Sequence, residues 1–291
     1  MEELKFIDAH VHGFLKPTDE NLFKINIDTL TKQGLEKIII AVLPYHDFDY
    51  QLKLSLSPHN IQSAICKNNF DETILLIDWI KKYKFQQIIV PFFDVRFLTE
   101  NIREKIISCK ESGFMGIKGA FIPESDRVLN VQGIPQALGI STDNYCQIQQ
   151  EIFACAHELN LPLLYHINLS QYFDWARSAL QRFPQLKINI PHLGYSLRKI
   201  TAIIEQYENT YTDPAFLIDL LRKNNKRYLN FINTHYNRIM MGSDAIISES
   251  IKEIFSYANY FANLAMPEHI RNTILRGNAY NFLSLSSQIQ S

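Results

Sequence analysis

Short apolar, β-branched runs recur along this chain, and longer stretches with helical spacing separate them. The runs are Phe6–Ala9, Lys37–Val42, Gln87–Phe93, Met115–Gly119, Pro162–His166, Lys187–Ile190, Thr210–Thr212 and Arg238–Gly242. Runs of this length, bounded by polar segments, read as strands. Between them, Asp71–Tyr83 spaces Ile74, Leu75, Ile77, Trp79 and Ile80 as a helix would, and Thr99–Ser112 does the same with Ile102, Ile106 and Ile107. Asp143 reads as the N-cap of a helix running to Leu159, and Pro267 with Glu268 opens another. Eight strand–helix units in roughly 245 residues predict a closed parallel (β/α)8 barrel, a TIM barrel, formed as a single domain over residues 1–291. Two stretches, Pro44–Asn69 and Pro123–Thr142, are too long for plain connections. These long βα loops after strands 2 and 4 are expected to cap the mouth of the barrel and shape what enters it.

Composition narrows the function. The chain is 46% hydrophobic and carries 29 Lys+Arg against 30 Asp+Glu. That balance provides no dominant surface for nucleic acid or an anionic membrane. No apolar run approaches the 18 or so residues of a membrane span. The acidic start, Met1-Glu2-Glu3, lacks the apolar region of a secretion signal. Cys66, Cys109, Cys146 and Cys155 lie far apart without a CxxC pair, which suits reduced thiols and a cytoplasmic location. Neither a GxGxxG nor a P-loop occurs, which argues against a dinucleotide or nucleoside triphosphate site.

The chemistry begins in the first strand, Asp8-Ala9-His10-Val11-His12. Side chains alternate along a strand, so His10 and His12 are expected to face the mouth together, with Asp8 one layer below. Two neutral imidazoles so placed can share a metal ion, whereas a buried pair with nothing to bind would leave ring N–H groups unsatisfied. Three later runs also end in ligand-type residues: His166 on the fifth, His192 after the sixth and Asp244 after the eighth. The C-terminal ends of barrel strands converge on one site. Lys118, on strand 4, and Arg96, after strand 3, could anchor a substrate carboxylate. Phe14 and Tyr172 are candidate pocket-lining aromatics, and His46 and His59 lie in the long loop after strand 2. Asp213 reads as a cap for the helix that follows it, while His157, His235 and His269 read as structural.

Taken together, Ile7-Asp8-Ala9-His10-Val11-His12, Phe114–Gly119, Leu161–His166, Pro191-His192-Leu193-Gly194, Ile239–Asp244 and Ile274–Tyr280 resemble the amidohydrolase superfamily, more closely its amidohydrolase-related branch. That branch contains metal-dependent hydrolases and aminocarboxymuconate-semialdehyde-type decarboxylases. The resemblance implies that His10, His12, His166 and Asp244 bind one divalent metal ion, with Zn²⁺ favoured and Mn²⁺ or Fe²⁺ as alternatives. It implies that Asp244 and His192 move protons, and that Asn278 ties the last helix to the barrel. Some branches carbamylate a strand-4 lysine to bridge two metals, but the Gly-Ile-Lys-Gly setting of Lys118 is similar to the mononuclear branch. Many relatives are dimers, so homodimerisation is expected by analogy.

The implied reaction is hydrolysis of a lactone, ester or amide carbonyl in a small, anionic substrate. A metal-dependent non-oxidative decarboxylase would use the same site. A metal-dependent DNase of the TatD type is disfavoured, because that family has a Glu where strand 4 carries Lys118 and because the balanced charge provides no phosphate track. A barrel that binds without catalysis is disfavoured by the complete ligand set.

Overall fold

The computed structural model describes residues 4–223 and 225–285. Among them eight parallel strands form one sheet. They are β1 (Phe6–His12), β2 (Leu35–Val42), β3 (Ile89–Asp94), β4 (Gly116–Phe121), β5 (Leu163–Ile167), β6 (Ile188–Ile190), β7 (Thr210–Thr212) and β8 (Ala245–Ile246). Their spatial order is β7-β6-β5-β4-β3-β2-β1-β8. The predicted eighth run closes the ring without itself being a regular strand. Met240 N donates to the Thr212 carbonyl at 2.9 Å, and Ala9 N donates to the Met241 carbonyl at 2.9 Å. Residues 239–241 thus sit between β7 and β1, and the regular pairing with β1 is made later, by Ala245 and Ile246. The fold is the expected TIM barrel.

Two apolar layers hold it. Helices pack on the outside of the sheet through a large cluster containing Phe6, Val11, Ile38 and Ile40. Inside the barrel, Ile7, Ala9, Ile39, Ala41, Val90, Phe92, Leu164, Tyr211 and Met240 form a second cluster, sealed by Ala279 and Phe282 of the C-terminal helix Asn278–Phe282. Asn278 pins that helix by donating to the Tyr236 and Ile239 carbonyls at 2.6 and 2.7 Å.

The predicted helices occur with shifted ends. Asp71 caps Glu72–Tyr83, and the next helix is Ile102–Glu111. For Thr142–Glu158 the cap is Ser141, whose Oγ accepts from Asn144 N at 3.2 Å, and not Asp143, which lies inside the first turn. The segment after β2 contains a short helix, Tyr50–Ser55, and a 3-10 turn, His59–Ala64; that after β4 contains Ile134–Leu138. No helix among the described residues is long and apolar enough to cross a membrane.

Candidate metal centre

A β-bulge in β1 sets the directions of His10 and His12. Asp8 pairs with Ile38 and Val11 with Ile40, so one extra residue of β1 is accommodated between them. Ile38 and Ile40 face the outer helices, and Ala9 faces the barrel interior. The extra residue lets His10 face inward as well as Ala9, and His12 follows in register with inward-facing Ala41. Asp8 therefore does not lie one layer below the histidines, as plain alternation predicted. It shares the outward side with Ile38, and its Oδ1 accepts the amides of His10 and Ser243, each at 3.1 Å.

His10 Nε2 and His12 Nε2 both lie 3.1 Å from Asp244 Oδ1. Ligand atoms of His10, His192 and Asp244 all fall within 4.8 Å of one another. His166 packs beside His192, ring centroids 5.1 Å apart. The tightest trio thus contains His192 where the resemblance implied His12 and His166. Those two residues flank it, His12 against Asp244 and His166 against His192.

Lys118, fully inside the barrel, brings Nζ to 3.1 Å from the same His10 Nε2. This crowding is informative. If Nε2 carries its proton toward Asp244, the Lys118 ammonium faces an N–H. If Nε2 is unprotonated, the Asp244 carboxylate faces a lone pair. With Lys118 as an ammonium, no protonation state of the ring suits both neighbours; a divalent ion between Nε2 and Asp244 Oδ1 would satisfy the ring lone pair and the carboxylate together, with Lys118 as the neutral amine. His166 Nε2 is also buried without a hydrogen-bond partner, as an imidazole awaiting a ligand would be. The residues present therefore fit a divalent ion, with imidazole nitrogens and one carboxylate as its donors.

The electrostatics put His12, His166, His192 and Asp244 in ligating form, and His10 is the exception. Burial pushes His12 down to about 4 and, with His192 nearby, His166 well below its ordinary range. Burial likewise lowers His192. Burial works against the Asp244 carboxylate, but His10, His12 and His192 outweigh it and hold the acid well below the usual range. Neutral imidazoles and an ionised carboxylate are what metal binding requires. At His10, burial and Lys118 oppose a proton, and the Asp244 and Asp213 carboxylates prevail and raise the ring. Burial, then Arg96, pushes Lys118 down to about 8.

Asp213 carries more than a helix cap. It directly follows β7 and is completely buried. Oδ2 accepts from Asn189 Nδ2 at 2.7 Å and lies 3.4 Å from His10 Nδ1. Oδ1 accepts from the amides of His192 and Ala215, at 3.4 and 3.0 Å. One carboxylate thus backs His10 and clamps the turn that presents His192. Gly242 must be glycine here, since a Cβ would lie 2.9 Å from the Asp213 carboxyl carbon and 3.0 Å from His10 Cβ. His192 itself donates Nδ1–H to the Ala215 carbonyl at 2.9 Å, which leaves Nε2 with its lone pair. The backbone is left-handed at His192 (φ 58°), Tyr195 (φ 59°) and Asp244 (φ 62°). Such conformations in non-glycine residues store strain and gather at functional sites.

A pocket of about 620 Å³, mouth included, opens over this cluster. His12, His166, His192, Asp244, Lys118 and Arg96 line it, together with Tyr195 and Phe216. Arg96 is paired and pocket-lining at once: Nε contacts both Asp94 oxygens at 3.0 and 2.8 Å and Nη2 binds Oδ2 at 2.5 Å, while among the described residues Nη1 makes no protein hydrogen bond. Phe14, expected to line this pocket, stacks on His12 at 5.4 Å and borders a neighbouring chamber. Tyr172, also expected there, does not line it. Its ring packs edge-on against Phe121, and its hydroxyl donates to Glu124 at 3.0 Å. His46 borders the neighbouring chamber, and His59 lines neither. Asp213 and Tyr195 were missed in the sequence. Asp213 had the right signal, an acid directly after a strand; Tyr195 had none apart from its closeness to His192.

A family model described as Amidohydrolase matches residues 56–285. The match spans Lys118, His166, His192 and Asp244 and begins after the His10–His12 pair. No curated protein matches the sequence. Solved structures do match in fold. A probable 2-pyrone-4,6-dicarboxylic acid hydrolase from Acinetobacter baumannii, with citric acid bound, is 12% identical, with a TM-score of 0.57 over 97% of this chain and 100% of that one. A 2,6-dihydroxybenzoate decarboxylase from Rhizobium is 13% identical, with a TM-score of 0.57 over 96% of this chain and 98% of that one. A 5-carboxyvanillate decarboxylase from Sphingomonas paucimobilis is 10% identical, with a TM-score of 0.54 over 97% of this chain and 100% of that one.

Proposed function

This chain belongs to the amidohydrolase family, and on that premise we propose that it is a metal-dependent hydrolase of a lactone, ester or amide carbonyl in a small anionic substrate. The carrying observation is the convergence of His10 Nε2 and His12 Nε2 on one Asp244 oxygen, each at 3.1 Å, at the mouth of the barrel. His10, His12, His166 and Asp244 would hold one divalent ion, Zn²⁺ before Mn²⁺ or Fe²⁺. When bound, such an ion supplies Lewis acidity, which polarises a carbonyl and acidifies water near neutral pH.

The chain's own groups do the rest. Asp244, ionised and beside the cluster, takes the proton of the attacking water and returns it to the leaving group. His192, with Nε2 free as an acceptor, orients that water or the substrate oxygen. Arg96 Nη1 provides positive charge for a substrate carboxylate, and Lys118 Nζ donates to it. The same reading takes the protein as a cytoplasmic homodimer.

A second reading is non-oxidative decarboxylation, because two of the three structures described above are decarboxylases of hydroxylated aromatic acids. Here the same groups would hold the carboxylate that leaves. Turnover in ¹⁸O-labelled water separates the two. Label in the product carboxylate supports hydrolysis, while CO₂ release without label overturns it in favour of the lyase.

A further inference from the structure

A second chamber of about 620 Å³, mouth included, lies beside the catalytic pocket. The segment after β2 roofs it, and its walls include Phe14, Phe48, Ala64 and Phe97. The two spaces share three wall residues, Leu56, Ile61 and Arg96. Phe14, on the chamber side, stacks on His12, so the chamber reaches the edge of the metal cluster.

The chamber is mostly apolar, with His46, Ser57, Asn68 and Asn69 as its polar lining, despite containing charged residue types. Lys53 turns away, giving Nζ to the carbonyls of Cys66, Lys67 and Asn68 at 2.7, 3.2 and 3.3 Å. Glu72 is buried, accepts from Leu43 N at 3.3 Å, and burial pushes its carboxyl up to about 8, so it is largely protonated at neutral pH. The remaining cation is Arg96, at the boundary between the spaces, with Nη1 outside its Asp94 pairing.

We propose that this chamber is a second subsite that receives the apolar arm of a carboxylate substrate whose carboxylate binds Arg96 at the boundary. The inference rests on the anionic-substrate reading above and deepens it. It assigns the segment after β2 the reading of arm length and polarity, and it assigns the metal-side pocket the reacting carbonyl. Burying a methylene is worth about 0.8 kcal/mol, or roughly fourfold in affinity. A second carboxylate on the arm would be desolvated with no further free cation among the described lining residues to meet it and would be disfavoured.

Calorimetric titration of the full-length protein with phenylacetate, 3-phenylpropanoate, 4-phenylbutanoate and 5-phenylpentanoate tests this without any need for turnover. Affinity is expected to rise about fourfold per methylene until the chamber is filled. Ala64→Phe, which fills the chamber, should weaken the longer acids most and flatten the series, while acetate, which has no arm to place there, keeps its affinity. Should Ala64→Phe fail to fold, Phe48→Ala enlarges the same space and should move the optimum to a longer arm. A flat series in the unaltered protein, or a slope that neither variant changes, overturns the subsite. Failure of the enzymatic reading is seen separately, as a protein that takes up no divalent ion while the arm-length slope persists.

Discussion

The two ends of this barrel are built from the same strands and obey opposite rules. At the N-terminal end of the strands the interior is dry: Ile7, Ala9, Ile39, Val90, Phe92, Leu164 and Met240 interlock and Phe282 closes the base. One to four residues further along, β1 turns from Ala9 to His10, β5 from Leu164 to His166, and the chain after Met240 reaches Asp244. There the buried groups are imidazoles, carboxylates and a lysine, held by one another and by Asp213. A parallel barrel can therefore place its stability at one end and its chemistry at the other, because strand ends carry loops at the mouth while the base stays packed. Substitutions at the two ends should separate activity from folding.

The largest effect is expected at the mouth. Asp244→Asn or His10→Ala should lower turnover more than a hundredfold and leave the circular dichroism spectrum unchanged; wild-type rates in either purified variant would break the assignment. At the base, Phe92→Ala should do the reverse. Phe92 is fully buried, so its truncation should cost about 3–5 kcal/mol in denaturant unfolding, with activity per folded molecule preserved. Asp213→Asn probes the seam between the two ends. It should weaken metal affinity about 10- to 100-fold, read by competition with a chelator, while the fold survives.

Per pH unit, the smallest effect is the pH dependence of stability. Glu72 has its carboxyl raised by burial from 4.5 to about 8. It binds its proton more tightly folded than unfolded, so the stability it contributes is complete below about pH 4.5 and is lost as the pH rises through about 8. Glu72→Gln should flatten the fall in stability between those values, a slope of at most about 1.4 kcal/mol per pH unit. An unchanged slope would move the effect to Asp8, raised by burial to about 7.

The contrast between the two ends also explains what the sequence made legible. The strands announced themselves because each is a short apolar run, and the polar residues of the mouth because each stands at or just beyond the end of one. His10, His166, His192 and Asp244 were found by that rule, and the structure gathers them. The rule missed what depends on partners distant in sequence. Plain alternation placed Asp8 beneath the histidines, but the bulge against β2 turns it outward. Asp213 fits a helix cap locally, and its pairing with Asn189, His192 and His10 becomes visible only when the closed ring brings β6 and β7 round to β1. Arg96, which the sequence offered as a carboxylate anchor, lines the pocket while paired with Asp94. Leu56 and Ile61 reach the site from the segment after β2, whose path no periodicity encodes.

The central claim, that the mouth cluster is a metal centre, is tested most directly by elemental analysis of untagged protein prepared without chelators, beside its Asp244→Asn variant. The account predicts about one divalent ion per chain in the unaltered protein and a strong loss in the variant. Equal metal content in both, or none in the unaltered protein after reconstitution with Zn²⁺, Mn²⁺ or Fe²⁺, would contradict it.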